Sequence, residues 1–292
     1  MPRLPYVNID VFTANALEGN QLAVFTDGSA LSTEQMQRIA KETNYSETTF
    51  IIPRSFEETR EKGNRVRIFT VNEELPFAGH PTLGTAWVLR GIGGADEIVL
   101  DLNVGKIHVR FSELDGQPFG EMTQRNPDFG QVHSREEVAR AIGLTPENIA
   151  SDVPIHSVST GMMFVIVPIA RLETMQRLTL DMKRAQEYLD RTDGKFFFFV
   201  CRETLDPKAR LHARMLFYNG EDPATGSASG CAAAWMVKHG VAKTDERVLI
   251  EQGIEMKRPS RIFVRADRNG DEVVNVRVGG QAVEVARGEL FF

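Results

Sequence analysis

Two stretches of this chain, RIFTVNEELPFAG (67–79) and RMLFYNGEDPATG (214–226), match at Arg67/Arg214, Asn72/Asn219, Glu74/Glu221, Pro76/Pro223 and Gly79/Gly226. All five matches share one offset of 147 residues, about half of the 292 in the chain. Two copies cannot make a solenoid. They predict instead two lobes built to one plan. In each copy a strand ends, a proline-containing turn follows and a helix starts on glycine. A tryptophan of the buried type follows, Trp87 or Trp235, with a one-residue slip between the helix starts.

Local patterns fill in the plan. NIDVFTA and QLAVFTD read as strands separated by a turn at Glu18-Gly19-Asn20, and SETTFIIP and RVRIFT read as strands. STEQMQRIAKETN reads as a helix capped by Ser32 or Thr33, with Met36, Ile39 and Ala40 on its apolar face. PTLGTAWVLRG (81–91) reads as a helix ending at Gly91, and REEVARAIG as one closed by Gly143. EIVLDLNVGKIHVRF is a strand pair turning at Asn103–Gly105. In the second half FFFFVCR and ARMLFYN are strands, GCAAAWMVKHG (230–240) a helix and VLIEQGIEMKRPSRIFVRA a strand pair. The mixed-charge run EETREKGNR (57–65), around Gly63 and Asn64, reads as a solvated loop. Strands outnumber helices, which predicts an α+β fold: two pseudo-symmetric lobes, each a curved, mostly antiparallel sheet around one central helix. Gly116, Pro118, Gly120, Asn126 and Pro127 place the boundary in 115–130. The first lobe is then 1–118 and the second 119–292, with a last strand free to return to the first.

Composition excludes more than it identifies. A net charge of -6 gives no reason to expect a nucleic-acid or membrane partner. The longest apolar run, MMFVIVPIA (162–170), is about half of the ~20 residues needed to span a bilayer. MPRLPYVNIDVF lacks the apolar core of a signal peptide. The only cysteines, Cys201 and Cys231, form no metal-type spacing and suit a reduced, cytoplasmic chain, where the sequon at Asn44-Tyr45-Ser46 carries no meaning.

The run of small residues in EDPATGSASGCAAAW (221–235) bears on function. The first turn of a helix exposes unpaired N–H groups and the positive end of its dipole. Small side chains let an anion approach them. Two lobes would aim two such helix starts, near His80 and Ser227, into one cleft. Gly and Ala also permit close packing, which is the competing explanation of the same run.

EGNQLAVF (18–25), NYSETTFI (44–51), ELPFAGHPTLGTA (74–86), EDPATGSASG (221–230) and IEQGIEMKRPSRIFV (250–264) together resemble the PhzF-like phenazine-biosynthesis protein family, in order and over essentially the whole chain. Val71 and Lys257 depart from the usual family residues, away from the site. The resemblance implies a diaminopimelate-epimerase-like fold, a homodimer and an isomerase similar to that acting on trans-2,3-dihydro-3-hydroxyanthranilate. Carried over by position, it implies catalytic roles for Glu47, His80 and Asp222. Substrate contacts would come from Ser46, Gly79, Gly226 and Ser227.

The residues themselves narrow the chemistry. Epimerases of this fold use a thiol from each lobe, but Ala78 and Thr225 precede Gly79 and Gly226 here, and neither can act as a carbon base. Cys201 and Cys231 read as small core residues. A racemase is therefore the lesser alternative. The second lobe offers no evident acid at the place that corresponds to Glu47, Gly194-Lys195. A single base suits removal and return of a proton on one face of a small carboxylate, with no metal or organic cofactor needed. His80 would orient the substrate or relay a proton, and partial burial would tune Glu47. Asp222, ahead of Pro223, could equally cap a turn, and Glu74 and Glu221 read as structural residues bonding the backbone at their turns. A Ser227–His80–Asp222 hydrolase fails because the elbow pattern would centre on Ala228. GIGGAD (91–96) lacks the third glycine of a dinucleotide loop. The alternative from another class is a non-catalytic binder of small anions, which would have no use for a carboxylate at Glu47.

Overall fold

A computed structural model describes residues 3–217 and 220–292. Asn219, one member of a repeat match, lies outside them. The chain divides into a first unit that runs to Thr123 and regains Gly279–Phe292, and a second unit, Gln124–Val278.

The first unit contains β1 (Arg3–Val11), β2 (Asn20–Phe25), α1 (Thr33–Thr43), β3 (Glu47–Ile52), α2 (Phe56–Lys62), β4 (Asn64–Phe69), β5 (Glu74–Leu75), α3 (Gly79–Gly93), β6 (Glu97–Leu102), β7 (Gly105–Leu114) and β8 (Gln117–Thr123). The second contains β9 (Asp128–His133), α4 (Arg135–Ile142), β10 (Ile155–Ser159), β11 (Met163–Ile169), α5 (Leu172–Arg177), α6 (Met182–Leu189), β12 (Phe196–Cys201), β13 (Ala209–Phe217), β14 (Gly220–Asp222), α7 (Gly226–Lys238), β15 (Val248–Gln252) and β16 (Ser260–Asn269). Next come β17 (Glu272–Gly280) and β18 (Ala282–Phe291), which pairs with β1 in the first unit.

The repeat is visible as a repeated strand order. In the first unit β1–β2 is antiparallel, β2–β3 parallel, β3–β4 antiparallel, β4–β6 parallel and β6–β7 antiparallel. In the second, β10–β11, β11–β12, β12–β13, β13–β15 and β15–β16 follow the same alternation. Each unit is thus an α+β layer with a mostly antiparallel sheet.

A central helix sits inside each sheet. Helix α3 touches β1, β2, β3, β6, β7 and β8, and every residue from Gly79 to Ala86 is buried. Helix α7 packs on β10, β11 and β16, with every residue from Ala228 to Val237 buried. A helix enclosed on several sides cannot be amphipathic, and it must be thin where strands approach. At Gly230 an added Cβ would collide with the Gln124 side chain. Close packing therefore accounts for the small residues beyond the first turn of α7. The outer faces carry amphipathic helices: α1 covers β3 and β4, while Val138, Ile142, Met175, Ala185 and Leu189 of α4, α5 and α6 join the core behind Phe197 and Phe199. Among the described residues no helix is long and apolar enough to cross a membrane.

Several local expectations are corrected. The charged run at 57–65 is mostly helix α2: Ser55 caps it, Glu57 and Glu58 occupy its first turn, Arg60 and Lys62 its last, and all face solvent. Both central helices start on the matched glycines, so α7 begins four residues before Gly230 and there is no slip at the starts; the slip falls within the helices, at Trp87 and Trp235. Helix α3 runs past Gly91 to a left-handed cap at Gly94. Trp235 is fully buried, but Trp87 only partly.

Glu74 and Glu221 bond the matched arginines, not the turn backbone. Arg67 donates to Glu74 at 2.8 and 2.6 Å, and Arg214 to Glu221 at 2.8 Å from each of two nitrogens. In each copy this bidentate pair ties the strand to the short return strand, β5 or β14, that leads to the helix. Arg214 also donates to the carbonyls of Met175 and Leu178. Its side chain is 7% exposed and that of Glu221 13%, against 19% and 22% for Arg67 and Glu74. Removing one partner of a buried pair strands the other. Arg214→Ala is expected to cost roughly 3–5 kcal/mol and Arg67→Ala about 1–2 kcal/mol in urea unfolding. Equal losses would show that burial does not separate the two pairs.

Candidate active site

The parallel pairing of β2 and β3 puts both strand starts at one edge of the first unit, and the first turn of α3 completes the group. Asn20 opens β2, Glu47 opens β3, and His80 is the second residue of α3. The loop before Glu47 is short. Asn44 ends α1 in a left-handed conformation, φ 54°, and the hydroxyls of Thr43 and Thr48 meet at 2.7 Å across it. The hydroxyls of Thr49 and Thr85, 2.9 Å apart, fasten β3 to α3.

His80 is buried, and Glu47 keeps a small exposed fraction, 17% of its side chain. Asn20 Nδ2 donates to His80 Nδ1 over 3.1 Å. That leaves the proton of the neutral ring on Nε2, which lies 3.4 Å from Glu47 Oε2. At this separation Nε2 is a buried donor without a hydrogen-bond partner among the described residues. Burial pushes the His80 pKa down to about 3, opposed only by a backbone hydrogen bond at Gln21. Glu47 and His80 are therefore a carboxylate beside a neutral imidazole, not a salt bridge. The ring can donate a hydrogen bond, but it does not carry a spare proton at neutral pH.

In the second unit Asp222 ends β14 and Ser227 is the second residue of α7. Thr225 Oγ1 donates to Asp222 Oδ2 at 2.5 Å. Gln252 grips the same turn: its amide donates to Asp222 O and Thr225 Oγ1 at 2.8 and 3.0 Å, and its carbonyl accepts from Thr225 N at 3.1 Å. Gly253, at φ +75°, passes where a Cβ would lie 2.5 Å from Pro223 O. Gln252 at the end of β15 and Gly253 just after it thus hold the EDPAT turn in place. The sequence assigns no role to Gln252 or Asn20, although both lie within stretches that carry the resemblance: an amide gives no signal of its own until the strands are paired.

The helix starts differ from the other helices. Ser32, Ser55, Ser134 and Asp181 cap α1, α2, α4 and α6, and Glu203 accepts from Leu172 N at the start of α5. Neither Ala78 before α3 nor Thr225 before α7 makes a side-chain cap bond. Gly79 and Gly226 are buried as the first residues of these helices, while Ser46 and Ser227 are partly exposed. The N-terminal N–H groups of both central helices are left for some other acceptor. The thiols are elsewhere: Cys201 and Cys231 are buried, and burial raises both, Cys231 to about 11. Neither is a reactive thiolate.

A family model described as phenazine biosynthesis-like protein matches residues 9–288. The chain is 39% identical to the uncharacterized isomerase mll1393 of Mesorhizobium japonicum, over 98% of each chain. It is 33% identical to the trans-2,3-dihydro-3-hydroxyanthranilate isomerase of Pseudomonas chlororaphis, again over 98% of each. Among solved structures, the phenazine biosynthesis protein of the PhzF family from Bacillus anthracis matches with a TM-score of 0.89 at 27% identity, covering 100% of both chains. A hydroxyproline epimerase from Agrobacterium vitis, 10% identical, shares the fold at a TM-score of 0.65 over 99% of this chain and 92% of its own.

The low His80 pKa carries a stability prediction. The unfolded histidine binds a proton near pH 6.5, and the folded one not until about 3. Stability from this residue is complete above 6.5 and is lost as pH falls toward 3, at about 1.4 kcal/mol per pH unit in mid-window. His80→Gln should lose that part of the acid sensitivity in denaturation series between pH 7 and 4. An unchanged slope would mean that His80 is not held neutral by burial.

Proposed function

The chain belongs to the phenazine biosynthesis-like family, and its relatives from M. japonicum and P. chlororaphis are named isomerases; from that premise we propose that it shifts a proton between two carbons of a small, unsaturated carboxylate with Glu47 as its general base and acid. The observation that carries this reading is the Glu47 carboxylate, partly exposed, beside a neutral His80 whose Nε2 proton has no other partner. The P. chlororaphis relative, named for trans-2,3-dihydro-3-hydroxyanthranilate, illustrates the substrate class.

In this mechanism Glu47 removes a proton from an sp³ carbon next to a conjugated system. The electron pair moves through the double bond, and the substrate's own conjugation stabilises the charge without a cofactor. Glu47 then returns the proton to a different carbon, so that no atom is gained or lost. His80, its pKa held down to about 3 by burial, acts as the neutral ring: it donates a hydrogen bond from Nε2 and orients the substrate. The uncapped N–H groups at the start of α3 hold the substrate carboxylate, and those at the start of α7, beside Ser227, hold an anion in the same way. Asp222 acts through Thr225, setting the turn from which α7 starts, and Ser46 borders the base. One positioned acid–base group is worth roughly 100- to 10,000-fold in rate.

Glu47→Gln should abolish turnover while substrate-analogue affinity, measured by calorimetric titration, stays within a few-fold. Wild-type activity in this variant would sink the single-base mechanism. Ser227→Ala should weaken binding of an anion at the start of α7 by roughly 1.5–3 kcal/mol through loss of a bond to a charged group. An unchanged affinity would remove Ser227 from the anion's contacts.

A further inference from the structure

A pocket of ≈450 Å³ opens on the first unit beside the last two turns of α3. Val7, Trp87, Ile92 and Pro118 supply apolar wall, and Ile92 is 72% exposed. The volume falls in the range of small-molecule sites, roughly 300–1,000 Å³. It lies about ten residues along α3 from His80, or about 15 Å of helix, and shares no residue with the Glu47–His80 group.

Charge distinguishes this pocket from an ordinary surface depression. Of its two arginines, Arg287 is held by Glu284 in a bidentate pair at 2.6 and 2.7 Å. Arg90 pairs with no carboxylate among the described residues. Its Cζ lies 5.1 Å from the centroid of the Phe111 ring, and its Nε is buried without an acceptor. The lining therefore carries one uncompensated positive charge against apolar walls, with Trp87 packed edge-on to the same Phe111 at 5.9 Å. A half-buried cation with an unmet donor calls for an anion, and the walls call for an apolar body attached to it. Gly91 adds a further sign: its Cβ position meets no atom within 4 Å, so the helix does not need glycine there for packing. A side chain at Gly91 would intrude on the pocket.

From these observations we infer that the C-terminal half of α3 forms a second ligand site, specific for a small carboxylate on a ring or branched apolar body. The carboxylate bonds the Arg90 guanidinium, and the body lies against Trp87 and Ile92.

Benzoate is the probe, with benzamide as its uncharged counterpart. Calorimetric titration and Trp87 fluorescence, with Trp87→Phe as the blank, follow binding. The expected result is saturable benzoate binding that changes Trp87 emission, with benzamide at least tenfold weaker. Arg90→Met and Gly91→Leu should each weaken benzoate at least tenfold, while circular dichroism and isomerase turnover match wild type. Absence of benzoate binding, or binding unaffected by both substitutions, overturns the proposal. Light scattering covers the other occupant: if Arg90→Met dissociates an oligomer and benzoate does not bind, the pocket receives a second copy of the chain, and the ligand site is wrong.

Discussion

The enclosure of α3 and α7 within their sheets is the constraint from which most of this structure follows. A helix bordered by several strands has no solvent side to carry polar residues, so its body must be small and apolar. The Gly, Ala, Ser and Cys of α7 satisfy that demand. Such a helix still has polar ends. Its first N–H groups need acceptors, and in both units the chain provides no side-chain cap there. Burying the helix body and leaving its start uncapped are two sides of one arrangement, and the proposed function draws on the second for its anionic ligand.

The approach to each helix has to be held firmly for this to work. The matched Arg–Glu pairs fasten the strand and its short return in both copies. In the second unit Gln252 adds a grip on Asp222 and Thr225. In the first unit Asn103, after β6, adds a bond to Glu74, and separately Asn20, Glu47 and His80 converge where β2, β3 and α3 begin. The burial that encloses α3 also keeps His80 neutral, so one physical cause serves both fold and site.

The repeat made the fold legible because it preserved residues with structural duties at one offset. Arg67 and Glu74, matched by Arg214 and Glu221, could have been read as pairs across a hairpin; spacing alone does not say that they face each other. The mixed-charge run at 57–65 reads as a loop because mixed charges on a helix and in a loop look alike without attention to the Ser55 cap. The small residues of α7 admitted two explanations, and packing claims those from Gly230 onward. Glu47 and His80 were legible through motif resemblance. Asn20, which sets the His80 tautomer, was not, because its role exists only once β2 lies alongside β3.

Deuterium incorporation tests the central claim most directly. The protein is incubated in D2O with a panel of cyclic and unsaturated carboxylates, and the products are read by NMR. A single base acting on one face predicts an isomerised product with deuterium at one carbon, in one configuration, and with some original proton carried across when exchange with solvent is slower than return. Deuterium with inversion of a stereocentre and no double-bond shift would instead require bases on two faces, and would contradict the account.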